Sequence, residues 1–382
     1  MSSITSSYDA IVAGLGAMGS AAAYQLARRG KRVLGLDAFA RGHALGSSVG
    51  RTRVIRLAYF EHADYVPLLR RAWALWRELE RDAGARLLVE TGGLYLGPPG
   101  SATVEGSAAS ARQHHLAHER LDAGAIRRRF PFLTPPDDTA GLFEEQAGFL
   151  VPEACVDAHL RLAERHGAAL RFEEPVRAWR IEGGEVAVRT ERGEHRAGRL
   201  VLAAGAWLGG LLGEVGVTLA VERVPLFWFE PASAEAFALG RCPVYIAETG
   251  SDGSFYGFPY LADQGLKVAR HGSGEAAEPD RLDRAPRAAD EARVRRFLER
   301  YLPGANGPLR ATTVCMYTKT PDEHFVIDRH PASADVVFAS ACSGHGFKFA
   351  SVVGEILADL ALEGRTSLPI AFLSLRRFAA PA

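Results

Sequence analysis

The residues whose side chains could most readily take part in a reaction lie in CMYTKTPDEHFVID, residues 315 to 328. The stretch begins with the alternation of a strand, which predicts that Cys315, Tyr317 and Lys319 share one face. A thiol becomes a nucleophile only as its thiolate, and positive neighbours favour that form. Lys319 and Lys348 are the candidate neighbours. Cys315 is therefore either a nucleophile or a small buried residue of its strand.

Two further groups of cations are candidates for binding an anion. SGHGFKF, residues 343 to 349, places Lys348 in the first turn of a predicted helix. The helix dipole disfavours a cation there by up to about 1 kcal/mol, so an anion is expected beside it, although a solvated surface lysine is the alternative. Arg53 and Arg56 stand three residues apart. They are either a pair on a helix surface or an anion site, because the guanidinium fork suits a planar carboxylate.

A dinucleotide-binding unit is predicted at the start of the chain, within residues 8 to 37. There YDAIVAG reads as a buried strand, GLGAMG as a tight turn into a helix, and KRVLGLD as a second strand. Gly14 permits the turn, Gly16 lets a pyrophosphate approach the helix N-terminus, and Gly19 lets helix and strand pack closely. Asp37 is placed to accept hydrogen bonds from a ribose. The pattern alone fits FAD and NAD equally well.

The rest of the chain interleaves helices and strands. Its expected elements, in order, are a helix over 64–80, an irregular stretch over 101–147, a helix followed by a strand meander over 153–204, mostly antiparallel strands over 218–320 interrupted by a helix over 288–301, and a final strand, glycine turn and helix ending at 364. The fold class is therefore α/β. Trp73 and Trp76 in the helix over 64–80 are expected in the core.

Composition narrows the class of partner. The chain has 382 residues, which favours two domains, and 45 basic residues balance 45 acidic ones. No basic block indicates nucleic acid or an anionic membrane, so a small-molecule partner is expected. Four scattered cysteines lack the spacing of a zinc site or disulfide framework, and Cys155, Cys242 and Cys342 are expected to be small buried residues. With no signal peptide or membrane-spanning run in the sequence, a cytoplasmic protein without a bound metal is expected.

The sequence resembles the monomeric sarcosine oxidase family of FAD-dependent amine oxidases, relatives of N-methyltryptophan oxidase within the D-amino-acid oxidase superfamily. The similarity runs nearly end to end. It is densest at YDAIVAGLGAMGSAAAYQLA, GSSVGRTRVIRLAY, YVPLLRRAWALW, VLAAGAW, YGFPYLADQGLKV, LPGANG, CMYTKTPDEHF and SGHGFKF. The last two are specific to that family, whereas the first fits many flavoproteins.

The resemblance implies a Rossmann-type FAD-binding domain in three pieces and a substrate domain, built on a mostly antiparallel sheet, in two. The expected boundaries are 1–85, 150–217 and 324–382 for the FAD-binding domain and 86–149 and 218–323 for the substrate domain. It also implies a monomer that uses O2.

The resemblance assigns roles to the residues that match the family's motifs. Cys315 would carry the flavin through a thioether to its 8-methyl carbon. Arg56 and Lys348 would hold the substrate carboxylate. Lys267, otherwise an exposed strand lysine, would stabilise the superoxide formed when reduced flavin passes one electron to O2. Arg53 would belong to the catalytic residues beside the flavin.

Three further residues, Tyr256, His271 and Tyr317, would line the amine pocket; a core tyrosine or a satisfied histidine is the alternative for each. The cofactor is expected to contact a larger set, made of Gly14, Gly16, Ala17, Met18, Gly19, Asp37, Gly46, Ser47, Arg53, Cys315, Gly344, Gly346, Phe347 and Lys348.

The chain departs from the family at GSSVGRTR, where relatives commonly read GSHHGDTR. Ser48 and Val49 replace two histidines and Arg51 replaces an acid, and PVYIAETG matches the pocket strand only loosely.

The expected reaction is oxidation of a secondary N-methyl amino acid such as sarcosine to an imine, which water hydrolyses to an amino acid and an aldehyde while O2 becomes H2O2. N-Methyltryptophan, pipecolate, proline or another cyclic amino acid is the alternative substrate. Outside this class, an NAD-dependent dehydrogenase or a non-catalytic nucleotide-binding protein would share GLGAMG and Asp37.

Overall fold

The computed structural model describes residues 8–272 and 274–378. The strands, in chain order, are β1 Tyr8–Ala13, β2 Val33–Leu36, β3 Arg53–Arg56, β4 Leu88–Glu90, β5 Gly93–Gly97, β6 Glu119–Asp122, β7 Ala140–Glu144, β8 Ala147–Leu150, β9 Ala169–Arg171, β10 Ala178–Glu182, β11 Glu185–Thr190, β12 Gly193–Leu202, β13 Ala220–Phe229, β14 Val244–Glu248, β15 Ser254–Gly257, β16 Leu266–His271, β17 Leu309–Lys319, β18 Val326–His330 and β19 Ser333–Ser340.

The α-helices are α1 Ala17–Arg28, α2 Tyr65–Ala83, α3 Ala102–Gln113, α4 Ala123–Arg129, α5 Pro152–Arg165, α6 Leu208–Leu212, α7 Ala288–Tyr301 and α8 Ala350–Glu363. The helices predicted over 64–80 and 288–301 are confirmed as α2 and α7. Trp73 and Trp76 of α2 are buried in the core, as predicted.

The first sheet has the order β10-β11-β12-β1-β2-β9, with β19 added to β12 and β18 to β19. Strands β9, β2, β1, β12 and β19 run parallel to one another. Both faces of these central strands are covered, which explains their continuous apolar sequences. Helices α1, α2, α5 and α8 pack together against one face. Close approach requires small residues: a Cβ on Gly354 would lie 2.5 Å from the Cβ of Ala21.

The second sheet has the order β17-β13-β16-β15-β14-β5-β7-β6 and is antiparallel except for the pair β14 and β5. The mostly antiparallel strands predicted over 218–320 are thereby confirmed. Pairing of β13 with its two neighbours places Trp228 opposite Lys267 and Val224 opposite Cys315. A third sheet, β3-β8-β4, contains β3 with its two arginines.

The expectation of an irregular stretch over 101–147 is wrong. The structure has α3, α4, β6 and β7 there. Helix α3 packs on the second sheet through Val104, Ala108 and Ala111. Its apolar face is made mostly of alanine and small polar residues, so the helical periodicity is weak in the sequence. The structure contains, within its described residues, no helix long and apolar enough to cross a membrane.

Candidate functional site

A cavity of about 700 Å³ extends from the carboxyl end of the parallel strands to the second sheet. Its lining includes Asp37 at one end and Arg56, Tyr256 and Lys348 at the other. Ligands of open α/β sheets bind outside the carboxyl ends of the strands, so its position agrees with the predicted dinucleotide site.

The glycine turn has the geometry of a dinucleotide site. Gly14 has φ +91°, and a Cβ there would lie 2.6 Å from the carbonyl oxygen of Ala203. A Cβ on Gly19 would lie 1.7 Å from the carbonyl oxygen of Gly14, whereas one on Gly16 would meet only the Ser48 hydroxyl at 3.6 Å. Packing therefore excludes a side chain at Gly14 and at Gly19, whereas Gly16 leaves the N-terminus of α1 open to an anion.

Asp37 follows β2 and lines this end of the cavity. Its carboxylate accepts hydrogen bonds from the backbone N–H groups of Leu15 (2.7 Å) and Phe39 (2.9 Å). The two bonds fix the carboxylate where the sequence pattern places a ribose partner. Ser48, one of the departures from the family, accepts a hydrogen bond from the N–H of Ala17 (3.2 Å). A hydroxyl at this position faces the amino end of α1.

Several buried polar groups around the cavity have no partner in the protein. Among the described residues, the hydroxyls of Thr318 and Ser340 line the cavity without a hydrogen bond. Buried polar groups are normally satisfied, so these are available to a bound molecule. With the open turn and Asp37, they fit an extended dinucleotide such as FAD.

Cys315 lies on β17 with its side chain toward the cavity. Its Sγ is 3.5 Å from Nη2 of Arg53 and 3.6 Å from the carbonyl oxygen of Ser47. The positive neighbour is thus an arginine. Lys319 shares this face of β17, but it is not a neighbour of the thiol: it forms ion pairs with Glu222 (3.1 Å) and Glu323 (2.9 Å) and does not line the cavity. The long strand carries it past the cavity toward solvent.

Arg53 and Arg56 occupy the two ends of β3, so the helix-surface alternative is wrong. Arg53 donates to the carbonyl oxygens of Thr52 (2.9 Å), Ser47 (3.0 Å) and Val49. These bonds hold the chain around Arg53 in a tight loop beside the thiol of the second sheet.

Arg56 is 1% exposed and lies between the rings of Tyr59 (4.1 Å) and Phe60 (4.4 Å). Its Nη1 donates to the carbonyl oxygen of Ala58 (2.7 Å), and its Nη2 donates to both oxygens of Glu61 (2.7 and 2.6 Å). Its Nε has no partner. Arg56 therefore already binds one carboxylate and retains an unsatisfied donor.

Glu61 is a functional candidate that the sequence patterns did not predict. Burial opposes its ionisation, but Arg56, His345 and Lys348 together lower the pKa of its carboxyl to about 2. Its only signal in the sequence is an acid five residues after Arg56, and its approach to that arginine depends on the intervening turn. The site thus contains an internal carboxylate in contact with the predicted carboxylate-binding arginine.

Lys348 lies in a 3₁₀ turn, Phe347–Phe349, directly before α8 rather than within its first α-helical turn. Its Nζ donates to the carbonyl oxygen of His345 (2.6 Å) and lies 5.3 Å from the ring centre of Tyr59. Burial and the charge of Arg56 lower the pKa of Lys348 to about 7. The surface-lysine alternative is wrong, because this residue is 5% exposed.

Tyr59 and His345 were not predicted, yet they connect the two cations. The Tyr59 hydroxyl and Nδ1 of His345 are hydrogen-bonded at 2.6 Å. Because Arg56 also lies against the Tyr59 ring, one aromatic ring lies close to both cations. Burial lowers the pKa of His345 to about 3, so this imidazole is neutral.

Lys267 is buried, 2% exposed, and so is not an exposed strand lysine. It lies behind the cavity wall, where Nζ donates to the carbonyl oxygens of Gly50 (2.6 Å) and Thr52 (2.9 Å). Burial and the charge of Arg53 lower its pKa well below the usual value. The face of Phe258 lies 4.9 Å away and partly replaces water around the ammonium.

Tyr256, His271 and Tyr317 line the cavity together near Lys348. The Tyr317 hydroxyl is 3.4 Å from Nδ1 of His271, whose ring centre is 6.3 Å from that of Tyr256. Burial raises the pKa of both tyrosines and lowers that of His271, so all three side chains are neutral.

Most predicted cofactor-contacting residues come together here. Those lining the cavity are Gly14, Gly16, Ala17, Met18, Asp37, Gly46, Ser47, Arg53, Cys315, Gly344, Gly346, Phe347 and Lys348, while Gly19 packs behind the turn. In the described part of the chain, no group of three or more His, Cys, Asp or Glu side chains is placed to bind a metal.

Comparison with known proteins agrees with this arrangement. Residues 9–360 match the family described as FAD dependent oxidoreductase (DAO). The chain is 46% identical to monomeric sarcosine oxidase of Streptomyces avermitilis, covering 98% of each chain. It is 39% identical to N-methyl-L-tryptophan oxidase of Salmonella arizonae, covering 97% of this chain and 99% of that protein. Its structure superposes with TM-score 0.86 on NikD, an unusual amino acid oxidase essential for nikkomycin biosynthesis, at 27% identity, covering 97% of this chain and 98% of that one.

Proposed function

Because the chain belongs to the FAD dependent oxidoreductase (DAO) family, we propose that it oxidises the C–N bond of a secondary amino acid, with N-methyl amino acids such as sarcosine as the first choice. N-Methyltryptophan or a cyclic amino acid such as pipecolate or proline is the alternative substrate. The family excludes the NAD-dependent dehydrogenase and the non-catalytic regulator that the sequence patterns alone left open.

One observation carries the choice of substrate. Arg56 and Lys348 both contact Tyr59 at the end of the cavity opposite Asp37, and Arg56 has a free buried donor. Charge-assisted hydrogen bonds from a guanidinium and an ammonium suit a carboxylate. In this proposal the substrate carboxylate takes the place of Glu61 on Arg56.

The protein's part in the reaction is to position groups and supply charge. The flavin, when bound, supplies the acceptor for two electrons. Arg56 and Lys348 hold the substrate by its carboxylate, and the neutral side chains of Tyr256, His271 and Tyr317 surround its amine without repelling it. Water hydrolyses the resulting imine to an amino acid and an aldehyde.

We assign the oxygen half of the reaction to the cation behind the cavity wall. Lys267 is buried with positive charge nearby, and the anion formed when O2 accepts its first electron would be stabilised there. In this reaction O2 would be reduced to H2O2. The decisive experiment is a peroxide assay of the yellow protein against a panel of N-methyl and cyclic amino acids. Absence of peroxide with every member would overturn the proposed reaction.

Covalent attachment of the flavin through Cys315 is part of the proposal. Its Sγ lies on the cavity wall with the guanidinium of Arg53 beside it, and a cation favours the thiolate. Acid precipitation should leave the yellow colour in the protein pellet. Cys315→Ala should release the colour, whereas Cys342→Ala, which alters a second thiol of the same cavity, should not. Colour released from the unmodified protein would contradict the attachment.

The division into domains also remains a proposal, with the FAD-binding pieces at 1–85, 150–217 and 324–382 and the substrate pieces at 86–149 and 218–323. It is supported by the two large sheets, since no strand of one belongs to the other. A cytoplasmic monomer completes the proposal, supported by four free cysteines and by relatives named as monomeric.

A further inference from the structure

Glu144 is a carboxylate buried outside the cavity, at the end of β7 and 1% exposed. Its Oε1 accepts hydrogen bonds from the N–H groups of Leu57 (3.2 Å) and Ala58 (3.2 Å) and from the hydroxyl of Tyr95. Its Oε2 accepts a second contact from the N–H of Ala58 (3.0 Å). A buried carboxylate is tolerated only when such donors surround it.

The donors belong to the turn that follows Arg56. The N–H of Ala58 points to Glu144, while its carbonyl oxygen accepts the hydrogen bond from Nη1 of Arg56 (2.7 Å). The N–H of the next residue, Tyr59, donates to Ser110 Oγ (2.8 Å). The turn after Arg56 therefore orients its guanidinium through the carbonyl oxygen of Ala58. Glu144 holds the same turn in place through the backbone N–H groups.

No basic side chain neutralises Glu144 directly. Within residues 8–272 and 274–378 it forms no ion pair with a lysine or arginine. Burial raises its pKa, and the Tyr95 hydroxyl, the amide of Ala58 and the charge of Arg56 oppose that rise. The carboxylate therefore acts on Arg56 in two ways, through the backbone of the turn and through its charge.

We propose that Glu144 is a positioning residue that orients Arg56 for the carboxylate of the substrate. The inference rests on the proposed function, because it gives Arg56 the role of carboxylate ligand. It predicts that a change at Glu144 weakens substrate binding specifically, although this residue touches neither the cavity nor the reacting atoms. An amide with its oxygen at the Oε1 position would still accept from all three donors, but it would turn an N–H₂ group toward the N–H of Ala58 at the Oε2 position and remove the negative charge near Arg56.

The test compares Glu144→Gln with Glu144→Asp in the flavin-loaded enzyme. KM and kcat are measured with N-methylglycine. The dissociation constant of methoxyacetate, which keeps the carboxylate and lacks the amine, is measured from the flavin absorbance. Glu144→Gln should raise both KM and that constant about ten- to a hundredfold, with kcat changed less than about threefold. Glu144→Asp, which keeps the charge, should recover part of the affinity.

Two further variants separate positioning from general structural damage. Glu248→Gln alters a carboxylate that accepts a backbone N–H in the same sheet, from Thr103 at 3.0 Å, and should leave both constants unchanged. Tyr95→Phe removes one donor while leaving the carboxylate and should raise KM by a few fold, so it tests the inference even where Glu144→Gln fails to fold. Unchanged methoxyacetate binding in Glu144→Gln, or an equal fall in kcat and in the oxygen reaction, would overturn the inference.

Arg56→Ala separates failure of this inference from failure of the proposed function. If Arg56→Ala leaves methoxyacetate binding intact, the carboxylate site itself is misplaced. If Arg56→Ala weakens binding and Glu144→Gln does not, only the positioning role fails. In the Arg56→Ala background, Glu144→Gln should have almost no additional effect, because the residue through which it acts is gone.

Discussion

Two pairs of cations lie at the same cavity, Arg56 with Lys348 and Arg53 with Lys267, and the arginines of the two pairs have opposite kinds of partner. Arg56, of the pair with Lys348, is bound to the carboxylate of Glu61. Arg53 and Lys267, the second pair, donate to backbone carbonyl oxygens, and in the described part of the chain neither forms an ion pair with a carboxylate.

The difference indicates different tasks. A carbonyl oxygen holds a cation in place without cancelling its charge, so Arg53 keeps its positive charge beside Cys315. A carboxylate partner cancels the charge of Arg56 and can be exchanged for another carboxylate. Arg56 is therefore suited to reversible binding of a carboxylate, and Arg53 with Lys267 to stabilising charge that develops during the reaction.

The largest effect is expected at Lys267. With a protonated Lys267 about 4 Å from the developing anion and an effective dielectric near 20, the Coulomb energy is about 4 kcal/mol, or roughly a thousandfold in rate. Lys267→Met should slow reoxidation of the reduced flavin by about a hundred- to a thousandfold and change anaerobic reduction by substrate far less. Stopped-flow absorbance of the two half-reactions measures both. A variant slow in reduction but normal with O2 would move Lys267 to the amine site.

Truncation of Arg56 or Lys348 should weaken substrate binding rather than the reaction with O2. Arg56→Ala and Lys348→Ala should each weaken binding of an N-methyl amino acid by about 1.5 to 3 kcal/mol, roughly ten- to more than a hundredfold. Arg120→Ala, which breaks an exposed pair with Glu105, is the control and should leave affinity unchanged. Steady-state kinetics with N-methylbutylamine complete the test: if that amine is oxidised as efficiently as the best amino acid, no carboxylate is recognised here.

The pKa of Lys348 makes the same pair sensitive to pH. Burial and Arg56 lower this pKa from 10.5 to about 7, so the ammonium is present below that pH and lost above it. Binding of methoxyacetate, which has no amine to titrate, should therefore weaken above neutral pH by up to about tenfold per unit. Lys348→Met should bind weakly at every pH. A dissociation constant of the unmodified enzyme that stays level across this range would show that Lys348 does not titrate with the ligand.

The smallest effect is expected at Arg51 of the stretch GSSVGRTR. Its side chain is exposed, with its guanidinium 5.4 Å from the ring of Trp228, and its charge is screened by water. Arg51→Ala should change the oxygen reaction by less than about threefold, in the same stopped-flow assay. A change as large as that of Lys267→Met would mean that net charge near the loop matters rather than one placed ammonium.

Local patterns predicted much of the fold. Buried strands and glycines specified the dinucleotide unit, and alternation identified β17 and the face that Cys315 shares with Tyr317. Helix α3 was not predicted because its apolar face consists mostly of alanines and small polar residues, which also occur in loops. The helical spacing of apolar residues can be recognised in a sequence only when those residues are large.

The partners of the charged residues could not be predicted locally. Lys319 shares a strand face with Cys315, yet it pairs with acids at the strand's end because β17 extends beyond the cavity. Arg53 reaches the thiol from another sheet, 262 residues earlier in the chain. Glu61 meets Arg56 only because a turn reverses the chain after β3. Such contacts depend on tertiary geometry, which residue spacing does not encode.

The carboxylate of Glu61 also has a consequence for the end of each catalytic turnover. The amino acid formed keeps the carboxylate of the substrate, so the forces that hold the substrate would hold the product as well. Glu61 lies five residues from Arg56 in the same chain, so it competes with a bound carboxylate for the guanidinium. Because this competition is intramolecular, its strength does not depend on the concentration of any molecule in solution. If Arg56 binds the substrate as proposed, the return of Glu61 to the guanidinium would favour product departure, and affinity for both molecules would be exchanged for faster release.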